Sequence, residues 1–193
     1  MEEKRNFDLL TLGQVLLRLS PPNNDRLVRG DTFVKQVGGA ELNVAVGVAL
    51  LGLRTGVISK LPSHDMGSFM KGKIRSYGVS DDFFMYDDSP SARVGIYYYE
   101  NGAYPRKPKV IYDRANSSFY SLKIDEIPEK AYTASRCFHT SGITLALSPK
   151  VRETTIEMIK RFKAAGTLVS FDVNFRGNLW TGEEAKECIE QIL

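Results

Sequence analysis

The chain has 193 residues, 42% of them hydrophobic and 25% charged, which is enough for one substantial soluble core. Its net charge of +3 is too small and too evenly spread to indicate a nucleic-acid partner, and the N-terminal MEEKRNFDLL lacks the apolar run of a signal peptide or membrane span. The cysteines, Cys137 and Cys188, have neither metal-knuckle spacing nor the density of a disulfide scaffold, so reduced thiols and a cytoplasmic setting are expected.

Phe7–Leu19 is a mostly apolar run broken by Gly13, the pattern of a buried strand running into a second extended piece. Ser20-Pro21-Pro22-Asn23-Asn24 ends it in a turn. Thr32–Val37 alternates polar and apolar residues like a strand with one wet face, and it leads into Val37–Gly56, VGGAELNVAVGVALLGLRTG. Gly38 and Gly39 have no Cβ, so a ligand can approach the main chain there. The residues after them are apolar on nearly every side, which predicts a helix buried all round. Only Glu41 and Asn43 interrupt the run, in the first turn, where unpaired N–H groups favour an anionic or hydroxyl-bearing ligand. The competing reading is a tight Gly-Gly turn with Glu41 or Asn43 completing the cap.

A strand at Thr55–Leu61 and an amphipathic helix at Asp65–Ser76 follow, so the first part reads strand, helix, strand, helix, with parallel strands and right-handed crossovers. The region from Phe83 to Tyr120 breaks this rhythm. Arg93–Tyr99 (RVGIYYY) and Lys109–Tyr112 (KVIY) are antiparallel strand candidates, and with Thr32–Val37 they are expected to form a small sheet standing off the main one. Cross-strand packing alone would explain most of its tyrosines. Alternation then resumes with a strand at Arg136–Thr140 and a helix from Pro149 to Ala165. A strand at Thr167–Val173 follows, with Asp172, Asn174 and Arg176 at its carboxyl end, and a helix is predicted over Gly182–Leu193. Open parallel sheets place ligand chemistry at the carboxyl ends of their strands.

The glycine pair with Asn43, Ala45 and Gly52 resembles the first signature of the ribokinase-like (PfkB) sugar kinase family. Further segments carry the same resemblance: LRLSPP, GIYYYENG, KVIYDRANSS, FHTSGITLALSP and FDVNFRGNLW. Together they resemble the 2-keto-3-deoxygluconate kinase branch over essentially the whole chain. The resemblance implies an α/β fold, a ribokinase-like doubly wound, mostly parallel sheet with a small β-sheet lid. Residues 1–193 would be the N-terminal part of a single kinase domain, with lid strands from about 32–37 and 83–120. It also implies phosphorylation of a six-carbon keto acid at its terminal hydroxyl by ATP and Mg²⁺, and a homodimer formed through the lid.

An acidic sugar calls for guanidinium donors to its carboxylate and for amide, phenol or main-chain groups to its hydroxyls. On the family match, Arg114 and Arg176 are the carboxylate candidates, Tyr97 and Tyr112 hydrogen-bond the sugar from the lid, and Gly38, Gly39 and Asn43 hold hydroxyls beneath it. The competing reading pairs Arg114 with Asp113 or Asp125 and Arg176 with Asp172. Asp172 and Asn174 are expected to orient Arg176 or the nucleotide side. His64 and His139 share no metal-like or triad-like spacing and are expected to be structural; no metal ligand is predicted.

Some residues depart from the family pattern. Gln14 stands where this branch often has glutamate, and Pro62 replaces a glycine of the wider signature. The family's catalytic aspartate lies in an Asp-Thr-x-Gly-Ala-Gly-Asp segment whose helix N-terminus gathers phosphate charge, and that segment does not occur in these 193 residues. The chain alone is therefore expected to be inactive. Two other functions compete: a fructokinase- or ribokinase-type enzyme for a neutral sugar, and a non-catalytic sugar-acid binding module. A Rossmann-type dinucleotide binder is disfavoured because Gly38-Gly39 does not continue as GxGxxG.

Overall fold

In the computed structural model, which describes residues 5–192, the elements follow in chain order. They begin with β1 (Phe7–Leu12), β2 (Leu16–Ser20), β3 (Val34–Gly38), α1 (Ala40–Leu50), β4 (Thr55–Pro62), α2 (Asp65–Ser76) and β5 (Val79–Asp87). Next come β6 (Gly95–Glu100), β7 (Lys109–Asp113), α3 (Lys130–Thr133), β8 (Ser135–Ser141), α4 (Gly142–Ala146), α5 (Pro149–Ala164), β9 (Leu168–Asp172) and α6 (Gly182–Glu190). Leu193, placed in the last helix by the sequence pattern, lies outside the described residues.

Two sheets form. The larger has the order β5-β4-β1-β8-β9 with every neighbouring pair parallel. Successive residues of a strand point to opposite faces, and β4 shows the consequence. Ile58 joins a cluster with Leu10, Leu12, Phe138 and the α5 residues Met158 and Phe162. Its neighbour Val57 joins another with Leu42 and Ala45 of α1 and Met70 and Ile74 of α2. Helices thus cover both faces of a parallel sheet, as burial of such a sheet requires.

The smaller sheet has the order β3-β2-β6-β7, in which β2 pairs antiparallel with β3 and parallel with β6, and β6 pairs antiparallel with β7. Two expectations are corrected here. The segment Phe83–Asp87, placed in the lid by composition, belongs to β5 of the main sheet, where Phe83 and Phe84 are both buried and pair with Ile58 and Ser59. The second piece of the first apolar run, β2, instead forms the middle of the lid. Its alternation explains this: Leu17 packs into the α1 and α2 cluster, while Leu16 and Arg18 face the other way.

A third correction concerns α1, which is not buried all round. Leu42 and Ala45 are sealed against the sheet, but Leu50 and Leu51 are each 80% exposed and Val44 is also exposed. The helix packs on β1, β4, β5 and β8 by one side, and the side that bears Val44 and Leu50 is exposed. None of the described helices is long and apolar enough to cross a membrane.

Candidate substrate site

The carboxyl ends of β1, β8 and β9, the amino end of α1 and one face of the lid enclose a cleft of about 370 Å³. Strand register builds its lid wall. Arg18, Tyr97 and Tyr112 stand side by side across β2, β6 and β7, so they share one face, and all of them line the cleft. Gly39, Ala40 and Asn43 form the floor at the start of α1. There the first-turn N–H groups lack intrahelical acceptors and can meet ligand oxygens. Asn174 and Arg176 enter from the loop after β9, and Ile143 from the first turn of α4.

The sequence-predicted residues therefore converge. Gly39, Asn43, Tyr97, Tyr112, Arg114 and Arg176 all line this one cleft. Gly38 lies just behind it, buried beneath the Tyr97 ring. The reason for the glycines is sharper than main-chain access alone. A Cβ on Gly38 would sit 2.6 Å from the Tyr97 hydroxyl, and one on Gly39, whose φ is +153°, would sit 2.7 Å from the Gln14 carbonyl oxygen. The glycine pair lets the lid tyrosine and the β1–β2 link close directly onto the start of α1.

Arg114 is held in place rather than paired. Its Nε donates to Gln14 Oε1 at 2.8 Å, while Gln14 Nε2 donates to the Arg114 carbonyl at 3.0 Å and to Ser117 Oγ at 2.6 Å. The guanidinium also sits 5.5 Å from the centre of the Tyr112 ring. Burial pulls its pKa down, opposed by Tyr120, Tyr112 and the Glu41 carboxyl. Two of the expected competitors are engaged elsewhere: Asp113 pairs with Arg93 at 2.8 Å, and Asp172 Oδ1 accepts from the Asn174 N–H at 2.9 Å. Among the described residues Arg176 forms no ion pair, and it is exposed at the mouth of the cleft. Burial pushes the Tyr97 phenol up, so it stays a neutral donor and acceptor.

Several lining residues are not among the ligand candidates of the sequence, and three of them are polar side chains at the heart of the cleft: Gln14, Arg18 and Glu41. Gln14 had been noted only as a departure. Arg18 stacks over Tyr99 at 4.2 Å and donates through Nε to Ser20 at 2.9 Å. Glu41, which with Asn43 is a cap candidate in one of the two readings of this turn, points its side chain inward to Ser141 and Thr144. A lone acid in an apolar helix and an arginine in an alternating strand were the available signals. Of the histidines, His64 Nδ1 accepts from the Met66 N–H at the start of α2, and His139 Nδ1 lies 3.0 Å from Ser170 Oγ. Among the described residues no group of three or more His, Cys, Asp or Glu side chains is placed so that it could hold a metal ion.

Residues 6–193 match the model of the pfkB family carbohydrate kinases. The chain belongs to the pfkB carbohydrate kinase family. This pfkB domain is 38% identical over 185 residues to a 2-dehydro-3-deoxygalactonokinase of Haloferax volcanii, covering 96% of the chain and 57% of that relative. The crystal structure of 2-dehydro-3-deoxygluconokinase from Thermotoga maritima superposes with a TM-score of 0.89 at 38% identity, over 94% of this chain and 55% of that one. A sugar kinase from Pyrococcus horikoshii solved in complex with ATP matches with a TM-score of 0.79 at 27% identity, over 95% of this chain and 58% of that one. The pfkB chain thus spans a little over half the length of the relatives it matches.

Proposed function

We propose that this pfkB chain forms the sugar-binding part of an ATP-dependent kinase for a 2-keto-3-deoxy sugar acid of the gluconate or galactonate series. The observation that carries this reading is the convergence of Arg114 and Arg176 on one cleft of monosaccharide size, with neither guanidinium neutralised by a carboxylate at contact distance. A buried guanidinium without a protein counter-ion is costly unless a ligand supplies the charge. A planar carboxylate between two guanidiniums satisfies it bidentately. In this reading Tyr97 and Tyr112 take the hydroxyls from above, and Asn43 with the main chain at Gly39 takes them from below, while Gly38 makes room for Tyr97.

The names of the relatives support the substrate class, and the ATP-bound neighbour supports the phosphoryl donor. ATP with Mg²⁺ would supply the transferred phosphoryl group. This chain's residues would hold the acid, fix its orientation and exclude water beneath the lid. Because the sequence contains no Gly-Ala-Gly-Asp segment, the base and the anion hole would come from residues outside it, and the 193-residue chain would bind without turning over. The exposed outer strand β7 and its Val110, Ile111 and Tyr112 would pair two subunits through the lid.

Titration of the chain with 2-keto-3-deoxygluconate, in parallel with an ADP-release assay in MgATP, tests both parts. Saturable binding without sugar-dependent ADP release is expected. No binding would overturn the substrate class, and turnover would overturn the claim that catalysis needs residues outside the chain.

A further inference from the structure

The cleft contains a charge that binding of an acid does not obviously need. Glu41 is 2% exposed, yet it is the sole acid lining the cleft among the described residues. Its Oε1 accepts from Ser141 Oγ at 2.5 Å and from Thr144 Oγ1 at 2.8 Å. Among the described residues no side chain donates to Oε2. That oxygen lies against Gly13, where any Cβ would come within 2.1 Å of it. The chain therefore leaves out a side chain at position 13 to make room for a carboxyl beneath the anion site. Both of its side-chain donors are neutral hydroxyls, and among the described residues no lysine or arginine reaches ion-pair distance.

The charged groups around it come from several elements. Arg114 follows β7, Arg176 follows β9 and Arg18 stands on β2, while β8 and α4 present only the Ser141 and Thr144 hydroxyls. Burial pushes the Glu41 carboxyl up, outweighing the hydroxyl donors and the pull of Arg114. A ligand carboxylate seated on Arg114 would take up that guanidinium's field and bring a second negative charge beside Glu41. Both effects favour the neutral acid.

We propose that Glu41 is a specificity-determining residue that reads the charge of the ligand: seating a sugar acid draws one proton from solvent onto the Glu41 carboxylate, whereas a neutral sugar of the same size binds without it. Resting on the reading of the cleft as a sugar-acid site, this makes affinity for the acid depend on pH through one named group. By reciprocity, the proton promotes acid binding as much as the acid promotes protonation.

The test is calorimetric titration of the chain with 2-keto-3-deoxygluconate in buffers of differing ionisation enthalpy, from about pH 5 to about pH 9, so that the heat reports protons taken up. The wild-type chain should show uptake rising toward one proton, with Kd increasing about tenfold per pH unit above the value at which free Glu41 ionises. Glu41→Gln keeps an oxygen to accept from Ser141 and Thr144 and mimics the neutral acid. It should bind with a nearly flat pH dependence and no uptake. Burial holds the His139 pKa below its ordinary value, and both proteins keep this residue, so their difference isolates Glu41. Ser141→Ala, which removes a donor to the ionised carboxyl, should shift the onset of uptake to higher pH. Binding with the same uptake in wild type and Glu41→Gln, or none in either, overturns the inference while leaving the acid site intact. Failure of the wild type to bind the acid at any pH overturns the site reading itself.

Discussion

Arg114 depends on a single neutral side chain for its aim. Gln14 grips it at Nε and at the carbonyl, so a leucine at position 14 would leave a mostly buried guanidinium without its orienting acceptor. A hydrogen bond to a charged group contributes about 1.5–3 kcal/mol, so Gln14→Leu should weaken sugar-acid binding roughly tenfold to a hundredfold, read by titration calorimetry. Glu41 makes a prediction about stability. Its carboxyl is raised above the ordinary range in the folded chain, so the unfolded chain ionises it first as pH rises. Its stabilising effect is therefore complete at pH values below the unfolded-state value and is lost as pH climbs through the folded one. Urea denaturation of wild type and Glu41→Gln across that range should show the variant gaining relative stability with pH; parallel curves would contradict it.

Arg114, Arg176, Tyr97 and Tyr112 are legible as candidates in the sequence because they sit in segments with a recognisable pattern, whereas Arg18 and Tyr99 join the cleft only through the strand register. Glu41 was legible only as an anomaly. Its inward aim depends on Gly13, Ser141 and Thr144, which lie far from it in the chain and meet it only after β1 and β8 pair. The glycine pair was visible too, but its partners, the Tyr97 hydroxyl and the Gln14 carbonyl, were not. Gly39→Ala forces a side chain into a strained backbone region against Gln14, at a cost of about 1–3 kcal/mol that thermal or chemical denaturation would register.

At the scale of elements, α1 shows where reading by pattern fails. Its apolar run is continuous, yet one side faces solvent, because hydropathy records what a residue tolerates and the packing partner decides what is covered. Leu42→Ala should cost about 2–5 kcal/mol, whereas Leu50→Ser should lie within about 0.5 kcal/mol of wild type. Equal losses from the two substitutions in denaturation curves would contradict the one-sided packing. The exchange of β2 and Phe83–Asp87 between sheets has a related cause. Both are short runs of β-forming residues, and only tertiary pairing, β2 with β3 and β6 and β5 with β4, assigns each to its sheet. The helices with sharp ends were legible nearly to the residue. α2 begins at the His64 cap, and α5 begins at Pro149 after the Ser148 cap.

For the whole molecule, the uncovered apolar surface has a physical consequence. Leu50 and Leu51 on α1 and Leu168, Val173 and Phe175 at the outer strand β9 are all substantially exposed, and β9 pairs only with β8 within the sheet. Such surface favours association, so light scattering should report particles larger than the monomer. A monodisperse, thermally robust monomer would contradict that. The account's central claim is that two guanidiniums in one cleft select an acidic sugar. The most direct test compares the affinities of 2-keto-3-deoxygluconate and fructose for the wild-type chain and for Arg114→Gln, with melting curves confirming that both are folded. The account predicts a strong preference for the acid that falls at least tenfold in the variant while fructose binding barely changes. Equal binding of the two sugars by the wild type, or a preference untouched by Arg114→Gln, would contradict it.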